Sequence, residues 1–162
     1  MPETWRTRLY RWLFNIYPAY RRTGARVTYI AGDWTEVRIR VPLNWRTRNR
    51  VKTIFGGSMY GALDPVYMMM LMKHLGPEYI VWDKAASIRF RRPGREQLYA
   101  TFQLSPEQIA EIRRAAHEHG KTEPEFTVNL VSASGEVHAI CHKVLHVRPR
   151  AETPAALSRS AQ

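Results

Sequence analysis

Cysteine is nearly missing from this chain: Cys141 is the only one, which excludes a disulfide within one chain and any zinc site built on several cysteines. Uninterrupted apolar runs are missing as well. The longest nearly uncharged stretch, 54–72, is broken by Gly56, Gly57, Gly61, Asp64 and Pro65, whereas a membrane span needs about 20 predominantly apolar residues. It reads as a core helix. Trp5 to Tyr17 is interrupted by Arg6, Arg8 and Arg11 and does not read as a secretory signal, so a cytoplasmic protein is expected. There is no phosphate loop and no Gly-x-Ser-x-Gly elbow. Acidic residues are scarce, 14 against 25 Lys and Arg, for a formal charge of +11, and in the first fifty residues eleven arginines face only Glu3, Asp33 and Glu36. Such a field suits a phosphorylated small molecule, anionic lipid or nucleic acid, and equally a solvated surface with no dedicated partner.

What is present is enough apolar material for one core: 162 residues, 44% hydrophobic and 11% aromatic. Trp5, Leu9, Trp12, Leu13 and Ile16 recur at helical spacing, which predicts an amphipathic helix within 1–20, ended by Pro18. A membrane-surface helix has this pattern, but packing against the core is favoured. Val27 to Val41 predicts a hairpin about Ala31-Gly32-Asp33, and 42–55 a basic loop. An apolar helix follows from Ser58 to Leu75, stopped by Gly76-Pro77. Strands are expected over Ile80 to Arg91 and around Leu98 to Leu104. Ser105-Pro106-Glu107-Gln108 reads as a capping box opening a helix to Gly120, and a hairpin closes the domain at Val147. One domain over 1–148, with its core at 27–147 and a disordered tail at 149–162, follows. The plan is α+β, with helices on one side of an antiparallel sheet of about six strands.

Asp64 is the only charged side chain between Ser58 and Met72, set among Met59, Leu63, Val66, Met68, Met69 and Leu71. Burial without a partner penalises a carboxylate, so such a residue is a candidate base or nucleophile. Asp-Pro is also a helix-start pair, with Asp64 as N-cap and Pro65 at the first helical position. Both readings stand. Within one continuous helix, Pro65 would remove the hydrogen bond to the Gly61 carbonyl and kink the chain beside Asp64. Gly56-Gly57 ahead of the helix offers free amides to an anion or a developing oxyanion. His138, His142 and His146 share a strand face, but the outer two are about 26 Å apart and neighbours about 13 Å, too far for one ion. No metal site is expected.

Asn49, then Phe55-Gly56-Gly57, then Asp64 resembles the Asn…His-Gly-Gly…Asp pattern of hot-dog thioesterases of the phenylacetyl-CoA type. Arg48-Asn49, Asp64-Pro65, Trp82-Asp83-Lys84 and Ser87 to Pro93 look like a largely uncharacterised branch of that superfamily, and the likeness spans Val27 to Val147. The resemblance implies a curved sheet wrapped around the Ser58 to Leu75 helix, and subunits joined edge to edge as a homodimer or a dimer of dimers. It further implies sites at that interface: Asp64 activates water or attacks a thioester, the Gly57 amide polarises its carbonyl, and Asn49 positions substrate or water.

Phe55 stands where the pattern has histidine, and Met68 where a hydroxyl residue often follows the acid by one turn. Those two departures support an alternative, a hot-dog protein that binds acyl or aromatic ligands without cleaving them. With Gly56, Phe55 and Met68 are expected against substrate, and Arg46, Arg48 and Arg50 suit the phosphates of coenzyme A, which enters as part of the substrate and not as a cofactor. No nucleic-acid partner is expected.

Overall fold

The computed structural model describes residues 1–150. The tail expected from Pro149 therefore lies almost wholly outside the described residues. Six strands, β1 (Arg26–Ile30), β2 (Glu36–Val41), β3 (Tyr79–Phe90), β4 (Leu98–Gln103), β5 (Glu125–Val131) and β6 (Val137–Pro149), form one antiparallel sheet in the order β1-β2-β4-β5-β6-β3. Alternation decides which side of the sheet is inside: Val37, Ile39 and Val41 of β2 stand opposite Phe102, Ala100 and Leu98 of β4, all buried. β5 and β6 add Phe126, Val128, Leu130, Cys141 and Leu145 to the same face.

That face wraps around α3 (Gly56–Leu63) and α4 (Val66–Leu75), which bury Met59, Leu63, Val66, Tyr67, Met70, Leu71 and Leu75. Tyr67 stacks on Phe126 with ring centroids 4.4 Å apart and meets Phe102 edge-on at 5.1 Å. The single helix expected from Ser58 is thus two, opening two residues earlier and divided at Asp64-Pro65. Proline has no N–H to continue the ladder, so the division falls where the sequence put the kink. Gly76, at a positive φ of 88°, ends α4.

α5 (Pro106–His119) carries the expected capping box, Ser105 accepting from the Gln108 N–H and Gln108 from the Ser105 N–H, and stops at left-handed Gly120. At the other end of the chain, α1 (Trp5–Ile16) lies along β1 and leads into the short α2 (Pro18–Arg22), whose Tyr20 hydroxyl donates to the Ala62 carbonyl of α3. Here the expectation of core packing is overturned. Trp5, Leu9, Trp12, Leu13 and Ile16 all face solvent, and it is Thr7 and Phe14 that turn inward. Phe14 meets Tyr20 edge-on at 4.5 Å and Tyr10 meets Trp34 at 5.4 Å, and polar bonds add to these: the Asn15 carboxamide donates to the Val27 carbonyl at 2.9 Å and accepts from the Val27 N–H at 2.8 Å, while Glu3 accepts from the Ile30 N–H. These groups cover the open edge of β1, a position where strands otherwise invite pairing.

Candidate active site

Tyr60, Asp64 and Met68 follow one another at four-residue intervals on one face of the α3–α4 rod, all partly exposed. The backbone of Asp64 is helical (φ −50°, ψ −54°) as the C-cap of α3, and its side chain caps no helix. The N-cap reading is therefore corrected: Pro65 continues in near-helical geometry, so Asp64 never takes the extended conformation of a capping residue.

Nor is Asp64 the unpartnered carboxyl in apolar surroundings that its neighbours in sequence suggest. Lys143, from β6, reaches it with Nζ 2.7 Å from Oδ1 and donates to the Asp64 backbone carbonyl at 2.9 Å. The Tyr60 hydroxyl donates to the same Oδ1 at 2.9 Å. Oδ2 accepts no hydrogen bond among the described residues, and 41% of the side chain is open to solvent. One oxygen is anchored and the other is free.

Lys143 itself is wholly buried, and its Nζ also lies 2.8 Å from Oδ1 of Asp83 on β3. That second contact is an ion pair without good hydrogen-bond angles. Register explains the meeting. Lys143 falls in phase with buried Ala139, Cys141 and Leu145, and Asp83 sits opposite Leu145 across β3 and β6, one diagonal step from Lys143. Burial opposes the charge of Lys143, but the two carboxylates outweigh it and hold the ammonium above its ordinary range. Burial pushes the Asp83 carboxyl up, against the pull of Lys143. Burial likewise raises the Tyr60 phenol, aided by Asp64, and the Cys141 thiol. The sequence reading assigned Lys143 no role; its phase in the β6 alternation was the signal that could have found it.

Gly56 and Gly57 form the first turn of α3, where backbone amides lack intrahelical acceptors. Among the described residues neither N–H has a partner. Both glycines lie directly under aromatic rings, which would have to move aside for a larger residue. A Cβ on Gly57 would strike the ring of Phe55, and one on Gly56 would come 2.9 Å from the ring of Phe90. The two rings, each more than half exposed, close over the Gly-Gly turn.

Asn49 is placed differently from the orienting role. Its Oδ1 accepts from the Val51 and Thr53 N–H groups and its Nδ2 donates to Thr53 Oγ1 at 2.9 Å, so the carboxamide is engaged in shaping the loop that leads to Gly56. Arg46, Arg48 and Arg50 are exposed on that loop. Of the three, Arg46 lines an open groove of about 390 Å³ together with Arg26, Arg40, Trp45 and Gln97. The three strand histidines have separate partners: Nδ1 of His138 lies 3.2 Å from the Pro93 carbonyl, Nδ1 of His142 lies 2.9 Å from the Thr127 hydroxyl, and His146 stacks on Trp82.

The model of a domain of unknown function, DUF4442, matches residues 6–147. No curated protein matches the chain. Solved structures with the same fold include a protein of unknown function from Pseudomonas aeruginosa described as a probable thioesterase. It is 24% identical with a TM-score of 0.79 over 93% of this chain and 99% of that one. A protein of unknown function from Chlorobaculum tepidum TLS is 13% identical, with a TM-score of 0.71 over 89% and 94%. A thioesterase from Haemophilus influenzae is 12% identical, with a TM-score of 0.67 over 94% and 96%. The sheet wrapped around the central helix is the hot-dog fold.

Proposed function

The chain belongs to the DUF4442 family, and from that premise we propose that it is a thioesterase-like hydrolase of acyl-CoA thioesters. The observation that carries the reading is the Asp64 carboxylate, tied through Oδ1 to Lys143 and Tyr60 with Oδ2 left free and open to solvent. Lys143 and Tyr60 fix the orientation of the carboxyl, and the free Oδ2 is the atom placed to take a proton. Asp64 accepts a proton from water as the water oxygen adds to the thioester carbonyl. Collapse of the adduct breaks the C–S bond, and the proton passes to the departing thiolate. Direct attack by the carboxylate on the carbonyl carbon, which breaks the C–S bond, releases the thiolate and leaves a mixed anhydride that water opens, is the other route from the same geometry.

The Gly57 N–H is the donor for the developing oxyanion, supplied by a second copy. Within one chain Asp64 and Gly57 are seven residues apart on the helix, about 10 Å along its axis, too far to hold one carbonyl together. Asn49 acts through the loop that carries the glycines, and Arg46, with Arg26 and Arg40 beside it, offers cations to the phosphates of coenzyme A.

The exposed rings of Phe55 and Phe90 against the Gly-Gly turn favour a second reading, in which the same site holds an acyl or aromatic group without cleaving it. Thiol release across a panel of fatty and aromatic acyl-CoAs separates the two. Hydrolysis requires that at least one member releases thiol and that Asp64→Asn lowers the rate by about 10²–10⁴-fold, in a variant whose circular dichroism at the assay temperature matches that of the wild type. Release from no member removes hydrolysis and leaves the binding reading.

A further inference from the structure

We propose that the outward face of α1 docks the protein on an anionic membrane surface, independently of whether Asp64 hydrolyses anything. Trp5 and Trp12 are 71% and 58% exposed, and Leu9, Leu13 and Ile16 are exposed beside them. At 3.6 residues per turn these five side chains fall within an arc of about 100°. Arg6 and Arg8 stand at its two margins, both exposed. The arrangement is an apolar stripe with cationic borders, turned away from the protein.

The stripe is also rigidly presented. Asn15 pins the helix to β1 through two hydrogen bonds, and Thr4 and Thr7 close its N-terminus with a capping box. Contact with a partner therefore needs no ordering of a disordered segment.

Charge selects the occupant. Residues 1–26 carry six arginines and one acid, Glu3, which is already engaged by Arg11 at 3.0 Å. A second copy related by a two-fold axis would bring this same cationic surface against itself. Nucleic acid would meet the arginines but offers nothing to Leu9, Leu13 and Ile16. A bilayer with anionic headgroups satisfies both halves: indole rings settle at the level of the headgroups, aliphatic side chains enter the acyl boundary, and arginines meet the phosphates. No helix among the described residues is long and apolar enough to cross a membrane, so the contact is peripheral.

The test is vesicle flotation of the full chain on phosphatidylcholine with and without phosphatidylglycerol, read together with tryptophan emission and solution mass. The chain should float with the anionic vesicles and shift its emission to the blue. The exposed pair Leu9→Ser and Trp12→Ser, with unaltered circular dichroism and mass, should weaken that binding roughly tenfold or more. Arg6→Gln with Arg8→Gln should weaken it and reduce its salt dependence. The proposal is overturned if the wild-type chain ignores anionic vesicles or if the serine pair binds them as well as wild type. It is equally overturned if the serine pair lowers the solution mass, which makes the stripe a contact between copies, or if the chain binds duplex DNA through these residues and not vesicles.

Discussion

A buried ammonium between two carboxylates is the feature on which the proposed chemistry turns, and it can be tested without substrate. Lys143→Met keeps the volume and the apolar stem but leaves Asp64 and Asp83 facing each other without a cation. Breaking a fully buried pair on one side costs about 3–5 kcal/mol; here the expected loss is about 2 kcal/mol, because the carboxylate side chains keep 41% and 23% of their solvent contact. Its pH dependence identifies the cause. The raised native pKa of Lys143 gives a stabilisation that is full below the ordinary value of 10.5 and is lost as pH rises through the native value. Asp83, also raised, works in the same direction at acid pH: its contribution is present below 3.8 and is lost as pH climbs through its native value. Urea midpoints should therefore show the advantage of wild type over Lys143→Met shrinking from pH 10.5 upward. A gap that stays constant across that window would mean that the charge of the ammonium is not its source.

Among the elements, the sheet and the position of the kink were legible in the sequence because each rests on a local rule. Period-two alternation fixes which side of β2, β4 and β5 is buried, and a proline fixes where a helix must break. The orientation of α1 was not legible. A helical period identifies an apolar stripe but not what it faces, and this helix is fixed by Asn15 and Glu3 on β1 and by Tyr10 and Phe14, residues that lie off that stripe. Lys143 was hidden for the converse reason. A lysine within a thirteen-residue strand reads as exposed until register places it beside Cys141 and Leu145, and its partners lie 79 and 60 residues away in the chain. Asn49 matched a pattern by position while its side chain serves the backbone of its own loop. Asn15→Ala removes both polar links to Val27 and should cost about 1–3 kcal/mol in thermal or urea unfolding. Amide exchange should rise over 5–16 and at β1, with β5 and β6 protected as before. Uniform loss of protection across the sheet would show that α1 is part of the core's cooperative unit and not an appliance on its edge.

For the whole molecule, the two edges of the sheet are treated unequally. β1 is covered by Asn15 and Glu3, whereas β3, twelve residues long and exposed along most of both faces, ends the sheet with no strand beyond it among the described residues. Asp83 belongs to that open strand, and the Tyr60–Asp64–Met68 row lies over β6 and β3. An antiparallel contact between β3 strands of two copies would satisfy the open edge and bring the row of one toward the Gly-Gly turn of the other. A composite site of this kind has a signature that no single-chain site shares. Asp64→Asn removes the acid; Gly57→Pro, made with Phe55→Ala to clear the ring, removes the amide donor in the first turn of α3, where no intrahelical hydrogen bond is lost. Each variant alone should be inactive in thiol release. Refolded together in equal amounts, half of the dimers pair one of each, and every such hybrid keeps one intact acid facing one intact donor, so roughly a quarter of wild-type activity should return. If mixing restores nothing while each parent still dimerises, the acid and the donor are drawn from the same chain, and the two-copy site is wrong.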